Sequence, residues 1–220
     1  MTAWSFSKLN NFETCPKKHY HYDIARDISE GPTPHRDEGD KLHAYFEARL
    51  KHGTALPLGY VQHEGLLASV AASPGKFYYE QKLAISATFR PVGYMGKNAW
   101  LRVVIDCVKI NGTYAVILDW KTGKPKEDLT QLRLSAAVLF AHQPNLLTRI
   151  RSALVYVNYD KIVRDEARRE NLPALWAEIL PRVKKFQRAH ETQEFPPTPN
   201  GLCKKYCAVV SCPFHGVGGR

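Results

Sequence analysis

Asp106, Asp119 and Lys121 stand in VVIDCVKINGTYAVILDWK, a run otherwise rich in Val and Ile. Asn111-Gly112 is a strong two-residue hairpin signal, and it predicts two strands, 100–110 and 114–121. With Asn111 and Gly112 as the loop, Ile110 pairs with Thr113, Asp106 with Ile117 and Asp119 with Val104. Directly opposite residues share a face and faces alternate along a strand. The two acids and Lys121 then share one face, with the acids as diagonal neighbours about 7–8 Å apart. Cys107, Leu118 and Trp120 turn the other way, into a packed layer. Like charges this close on an apolar sheet are costly unless a cation compensates them. An oxygen-rich pair suits Mg²⁺ or Mn²⁺. Such an ion activates water and polarises a phosphoryl oxygen, and a lysine beside it can meet charge developing on phosphate. The structural alternative is that the acids cap strand ends or pair with Lys121 and Arg102.

The elements that must hold this hairpin follow from periodicity. Residues 5–15 read as a short helix capped by Ser5 or Ser7, and Pro16 follows its end. Residues 28–35 read as loop, and 36–51 as a helix with Leu42, Tyr45, Phe46 and Leu50 as its apolar stripe. A helix over 61–72, a strand over 77–89, a helix over 128–142, a strand over 153–159 and a helix over 173–190 complete the pattern, with Pro181 expected to kink or split the last. The order predicts an α/β chain with a central mixed sheet and helices on its faces.

The chain has 220 residues, enough for one large domain with a substantial core, and its net charge of +10 favours anionic partners, nucleic acid above all. It shows no signal peptide and no apolar run long enough for a membrane helix, so a cytoplasmic location without membrane association is expected. In that compartment Cys15, Cys203, Cys207 and Cys212 read as metal ligands rather than disulfides. Thiolates suit iron–sulfur or zinc, and His19 or His215 can stand in for one thiol in a zinc site. Cys107 reads as core. The basic, aromatic segment KKHYHYDIAR and the helix segment RVKKFQRAH are candidates for phosphate contact and base stacking, or else solvated surface.

D119-W-K-T-G123, preceded by VVID106CV, resembles the core of the PD-(D/E)XK nuclease superfamily, and more specifically its RecB-like exonuclease branch. G39-D-K-L-H43, Gln131 at the opening of the next helix, S7-K-L9 and C15-P16 extend the resemblance in the same order, from about residue 5 to 212. Where the branch carries Tyr four residues after the Gln, this chain has Ser135. The resemblance implies a restriction-endonuclease-like core at about 36–160 within a single nuclease domain, 1–220. It implies that His43, Asp106 and Asp119 ligate Mg²⁺ or Mn²⁺ with the backbone carbonyl of Trp120, and that Lys121 serves the attacking water. Gln131 joins this site, or, with Asp128 three residues before it, forms a capping box. Glu47, one turn after His43, and Glu80, on the neighbouring strand, are candidates for supporting positions.

In one set of nucleases of this branch, CRISPR-associated and helicase-linked ones among them, a cysteine before the core and three after it hold a 4Fe–4S cluster. By that resemblance Cys15, Cys203, Cys207 and Cys212 form a clasp between segments 1–27 and 173–216, with Zn²⁺ as the alternative metal. The usual tail has two and then five residues between its cysteines; this one has three and then four. The implied function is a metal-dependent DNA exonuclease of phage or CRISPR type, acting on single strands or duplex ends. It would work in the cytoplasm, the host's if phage-encoded, with a protein partner in recombination, repair or CRISPR adaptation. The competing reading is a non-catalytic nucleic-acid-binding or scaffold protein with a zinc-bound cysteine tail.

Overall fold

The computed structural model describes residues 2–29 and 34–217, so the expected loop at 28–35 lies partly outside the described residues. In chain order the elements are α1 (Phe6–Thr14), α2 (Pro16–His19), α3 (Pro34–His52), α4 (Glu64–Ala72), β1 (Lys76–Ile85), β2 (Pro91–Val92), β3 (Leu101–Asn111), β4 (Tyr114–Lys121), α5 (Thr130–His142), β5 (Arg149–Tyr156), β6 (Lys161–Arg168) and α6 (Leu172–Thr192). Among the described residues no helix is long and apolar enough to cross a membrane. The chain divides into two compact units, Pro32–Pro173 and the combined segments Met1–Gly31 and Ala174–Arg220.

The unit Pro32–Pro173 is built on one six-stranded mixed sheet of order β2-β1-β3-β4-β5-β6. All neighbours are antiparallel except β4 and β5, which are parallel. A parallel pair cannot be joined by a tight turn, and α5 supplies the crossover. Nine residues of α5 are buried, among them Leu132, Leu134, Val138 and Phe140, because the helix lies against the sheet. Cys107 and Trp120 face away from the acids, into a core with Leu42, Phe46, Leu56, Leu67, Ala153 and Val155. Phe46 meets Trp120 edge-on at 5.1 Å, and each such fully buried side chain contributes about 1.5–3 kcal/mol.

The hairpin differs from the predicted one in register. Asn111 pairs with Tyr114, Ile110 with Ala115 and Cys107 with Leu118. The turn is therefore Gly112-Thr113, with positive φ at Gly112 and not at Thr113, as in a II′ turn rather than the I′ turn read from Asn-Gly. This moves the pairing by two residues. An even shift keeps every side chain on its predicted face and brings Asp106 opposite Asp119 instead of diagonal to it.

Charge hid β6, whose KIVRDEAR alternates exposed and half-buried positions as an edge strand does. The strand predicted at 77–89 ends at Ile85, where a turn closed by Ser86 N–H to the Arg90 carbonyl takes over. Pro181 lies inside α6, which runs on through it, with Ile179, Val183 and Phe186 buried.

In the second unit, Ser5 caps α1, its hydroxyl accepting from Lys8 N–H. The N-terminal segment is tied to α6 by reciprocal hydrogen bonds between the Thr2 backbone and the Gln187 amide, at 3.0 and 2.7 Å. Arg182 donates two 2.7 Å hydrogen bonds to Glu13, and Phe12 meets Phe186 edge-on at 5.4 Å. After α2 the chain forms a π-helical turn, Tyr20–Ala25, that ends on Arg26 in the left-handed region. Lys184, Lys185 and Arg188 of the RVKKFQRAH segment are exposed, whereas Phe186 and Gln187 are core.

Candidate active site

Four elements of the sheet unit bring the predicted residues together. Asp106 comes from β3, Asp119 and Lys121 from the same face of β4, Gln131 from the first turn of α5, and His43 from α3. Gln131 Nε2 donates to Asp119 Oδ1 at 2.7 Å, and its carbonyl oxygen accepts from Lys121 Nζ at 3.1 Å. Lys121 Nζ also stands 2.6 Å from Asp119 Oδ2 as an ion pair. Gln131 thus turns toward the acids. The alternative, a capping box with Asp128, would need the Gln131 side chain, which is instead engaged by Asp119 and Lys121.

Asp106 Oδ2 accepts from Trp120 N–H at 2.9 Å, so a side chain replaces the strand ladder where the two acids face each other. Its other oxygen lies 3.6 Å from His43 Nδ1. His43 Nε2 is 3.1 Å from the Trp120 carbonyl. The carbonyl can only accept, so this nitrogen carries the proton. Asp119 is 4% exposed. Burial, then the charge of Asp119, pushes Asp106 up to about 7. Burial likewise raises Asp119, against the pull of Lys121 and His43. Two buried carboxylates that resist ionisation are stabilised as anions by a cation. A His nitrogen, carboxylates and a carbonyl are a donor set that fits Mg²⁺ or Mn²⁺. Glu80 of β1, a candidate for a supporting position, comes close to the same residues. Ligand atoms of His43, Glu80 and Asp106 lie within 4.8 Å of one another, close enough to share one ion. Glu47 instead pairs with Lys51 one turn on, at 3.4 Å. Ser135 is buried in α5.

In the other unit, Cys15, Cys203, Cys207 and Cys212 line one small cavity with Lys17, Lys18 and Phe214. None of the four forms a disulfide. Thr198 N–H points to Cys15 Sγ and Asn200 N–H to Cys203 Sγ, each at 3.4 Å. Four thiol sulfurs around one small cavity are a donor set that fits a thiolate-held metal. His19 is not part of it: its Nδ1 meets Asp23 at 2.9 Å and its Nε2 meets His190 at 3.0 Å. Cys107 is core, and burial pushes its thiol up to about 12.

The fold and the acid–lysine face define a nuclease-type site. The family model of the PD-(D/E)XK nuclease superfamily matches residues 3–213, and the chain belongs to that superfamily. Among solved structures it is similar to that of SSO0001, with 17% identity and a TM-score of 0.50, over 97% of this chain and 86% of that one. It is also similar to a candidate exonuclease from Eubacterium rectale, with 11% identity and a TM-score of 0.53, over 89% of this chain and 84% of that one. No curated protein sequence matches.

Proposed function

We propose that the chain is a metal-dependent deoxyribonuclease that removes nucleotides from DNA ends. The observation that carries this reading is the triangle of Asp119, Lys121 and Gln131 beside Asp106 and His43, inside a superfamily of nucleases. The exonuclease assignment follows the RecB-like resemblance and the name borne by the Eubacterium rectale relative.

His43, Asp106, Asp119 and the Trp120 carbonyl would hold Mg²⁺ or Mn²⁺. That ion supplies Lewis-acid charge to the phosphodiester and acidifies water beside it. Lys121 presents a positive charge, fixed on one side by Asp119 and on the other by Gln131, so it is pre-oriented toward an anionic phosphate. The net charge of +10 supports phosphate binding, and the exposed Lys184, Lys185 and Arg188 are candidates for it. The four cysteines would hold a 4Fe–4S cluster that fastens Cys15 to the tail and takes no part in hydrolysis. A yellow-brown protein absorbing near 400 nm supports that assignment; a colourless one containing zinc contradicts it. A role in recombination, repair or CRISPR adaptation follows the same resemblance.

The test uses the purified chain with Mg²⁺ or Mn²⁺ on end-labelled linear single and double strands, and on closed circles. Cleavage of linear DNA alone, abolished in Asp119→Ala, is expected. No cleavage of either linear form, or equal cleavage by Asp119→Ala, contradicts the enzymatic reading. Cutting of circles contradicts the exonuclease assignment only.

A further inference from the structure

We infer that Glu80 is a direct ligand of the divalent cation, added to His43, Asp106 and Asp119; this rests on the metal-dependent reading above. The register places it there. Tyr79 pairs with Cys107 and Gln81 with Ile105, so Glu80 lies level with Asp106 along the two strands. Glu80 also adopts a left-handed backbone, φ 46°, in the middle of a ten-residue strand. That conformation is uncommon for any residue but glycine and concentrates at functional sites.

The electrostatics call for a cation at this group. His43 donates its Nε2–H to the Trp120 carbonyl, which leaves Nδ1 facing Asp106 Oδ1, 3.6 Å away. Glu80 brings a second carboxylate to the same point, with all three ligand atoms inside 4.8 Å. Three electron-rich atoms from α3, β1 and β3 converge. Asp119, the other acid placed on this ion, is also met within the protein by Lys121, and Gln131 donates to it. A hard divalent cation at the His43–Glu80–Asp106 group would balance the carboxylates that Lys121 does not pair with.

Mn²⁺ binding to the intact chain, read from the electron paramagnetic resonance signal of free Mn²⁺, tests the assignment without reference to cleavage. Wild type is compared with Glu80→Gln, Glu80→Gly and Asp106→Asn. Glutamine keeps the size and removes the charge; glycine suits the left-handed backbone and protects the fold. The expected result is a loss of affinity on the order of tenfold or more in both Glu80 variants, with unchanged metal-free circular dichroism. If Asp106→Asn weakens binding while both Glu80 variants bind like wild type, the role of Glu80 is overturned and the metal-dependent reading stands. If wild type itself binds no Mn²⁺, both are overturned.

Discussion

Lys121 and Asp119, two residues apart on β4, meet on one face of the strand at 2.6 Å, with the carboxylate almost wholly buried. A strand places alternate residues on the same side, so this contact is local and needs no loop to build it. What the tertiary fold adds is Gln131, whose amide donates to Asp119 and accepts from Lys121.

Gln131→Leu removes that bridge with little change in volume. We expect the cleavage rate at saturating DNA to fall roughly 10–100-fold, because Lys121 loses one of its two anchors. The half-saturating DNA concentration should stay near the wild-type value. Single-turnover kinetics check this, and an unchanged rate would make Gln131 structural only.

Arg169 holds the end of α5. Its guanidinium donates to the carbonyls of Phe140, Gln143 and Leu147 and lies 4.9 Å from the Phe140 ring centre. Carbonyls at a helix C-terminus lack intrahelical partners, and a cation suits them. Arg169→Ala should destabilise the chain by about 2–3 kcal/mol in urea unfolding. Arg169→Lys should recover only part of the loss, because an ammonium cannot span three carbonyls as a fork does.

His190 makes stability depend on pH. Burial, then the nearby positive charges of His19 and Lys8, lower it from 6.5 to about 4. A folded value below the unfolded one means that the unfolded chain binds more protons between them. This contribution is complete above about pH 6.5 and is lost as pH falls toward 4. Asp23 has a lowered value: burial opposes the shift, but its bond to and charge from His19 outweigh it, so its own contribution fades only at lower pH. The urea midpoint should drop between pH 7.5 and 5.0 in wild type, and by less in His190→Gln. Equal drops would exclude His190 as the source.

Much of the site was legible because its signals are local. The apolar run 114–121 appears as β4 with the same bounds, and the faces of Asp106, Asp119, Trp120 and Lys121 came out as read from alternation. The register did not. Asn111-Gly112 fits two turn types, and pairing along the strands, not turn propensity, puts Asn111 inside β3. β6 escaped because an edge strand can be as charged as a loop. The contact of His19 with His190 joins positions far apart in sequence, and no local pattern announces it. Glu80 falls within the predicted strand, but no pattern of neighbouring residue types announces its left-handed backbone.

Under the proposed function, the face of β4 that carries Asp119 and Lys121 would hydrolyse phosphodiesters through a positioned lysine. This is tested most directly by the single-turnover rate of Lys121→Met on linear DNA at saturating Mn²⁺, with DNA affinity measured alongside. A fall in rate of about 100-fold or more, at near wild-type affinity, is the predicted result. A wild-type rate in Lys121→Met would contradict it.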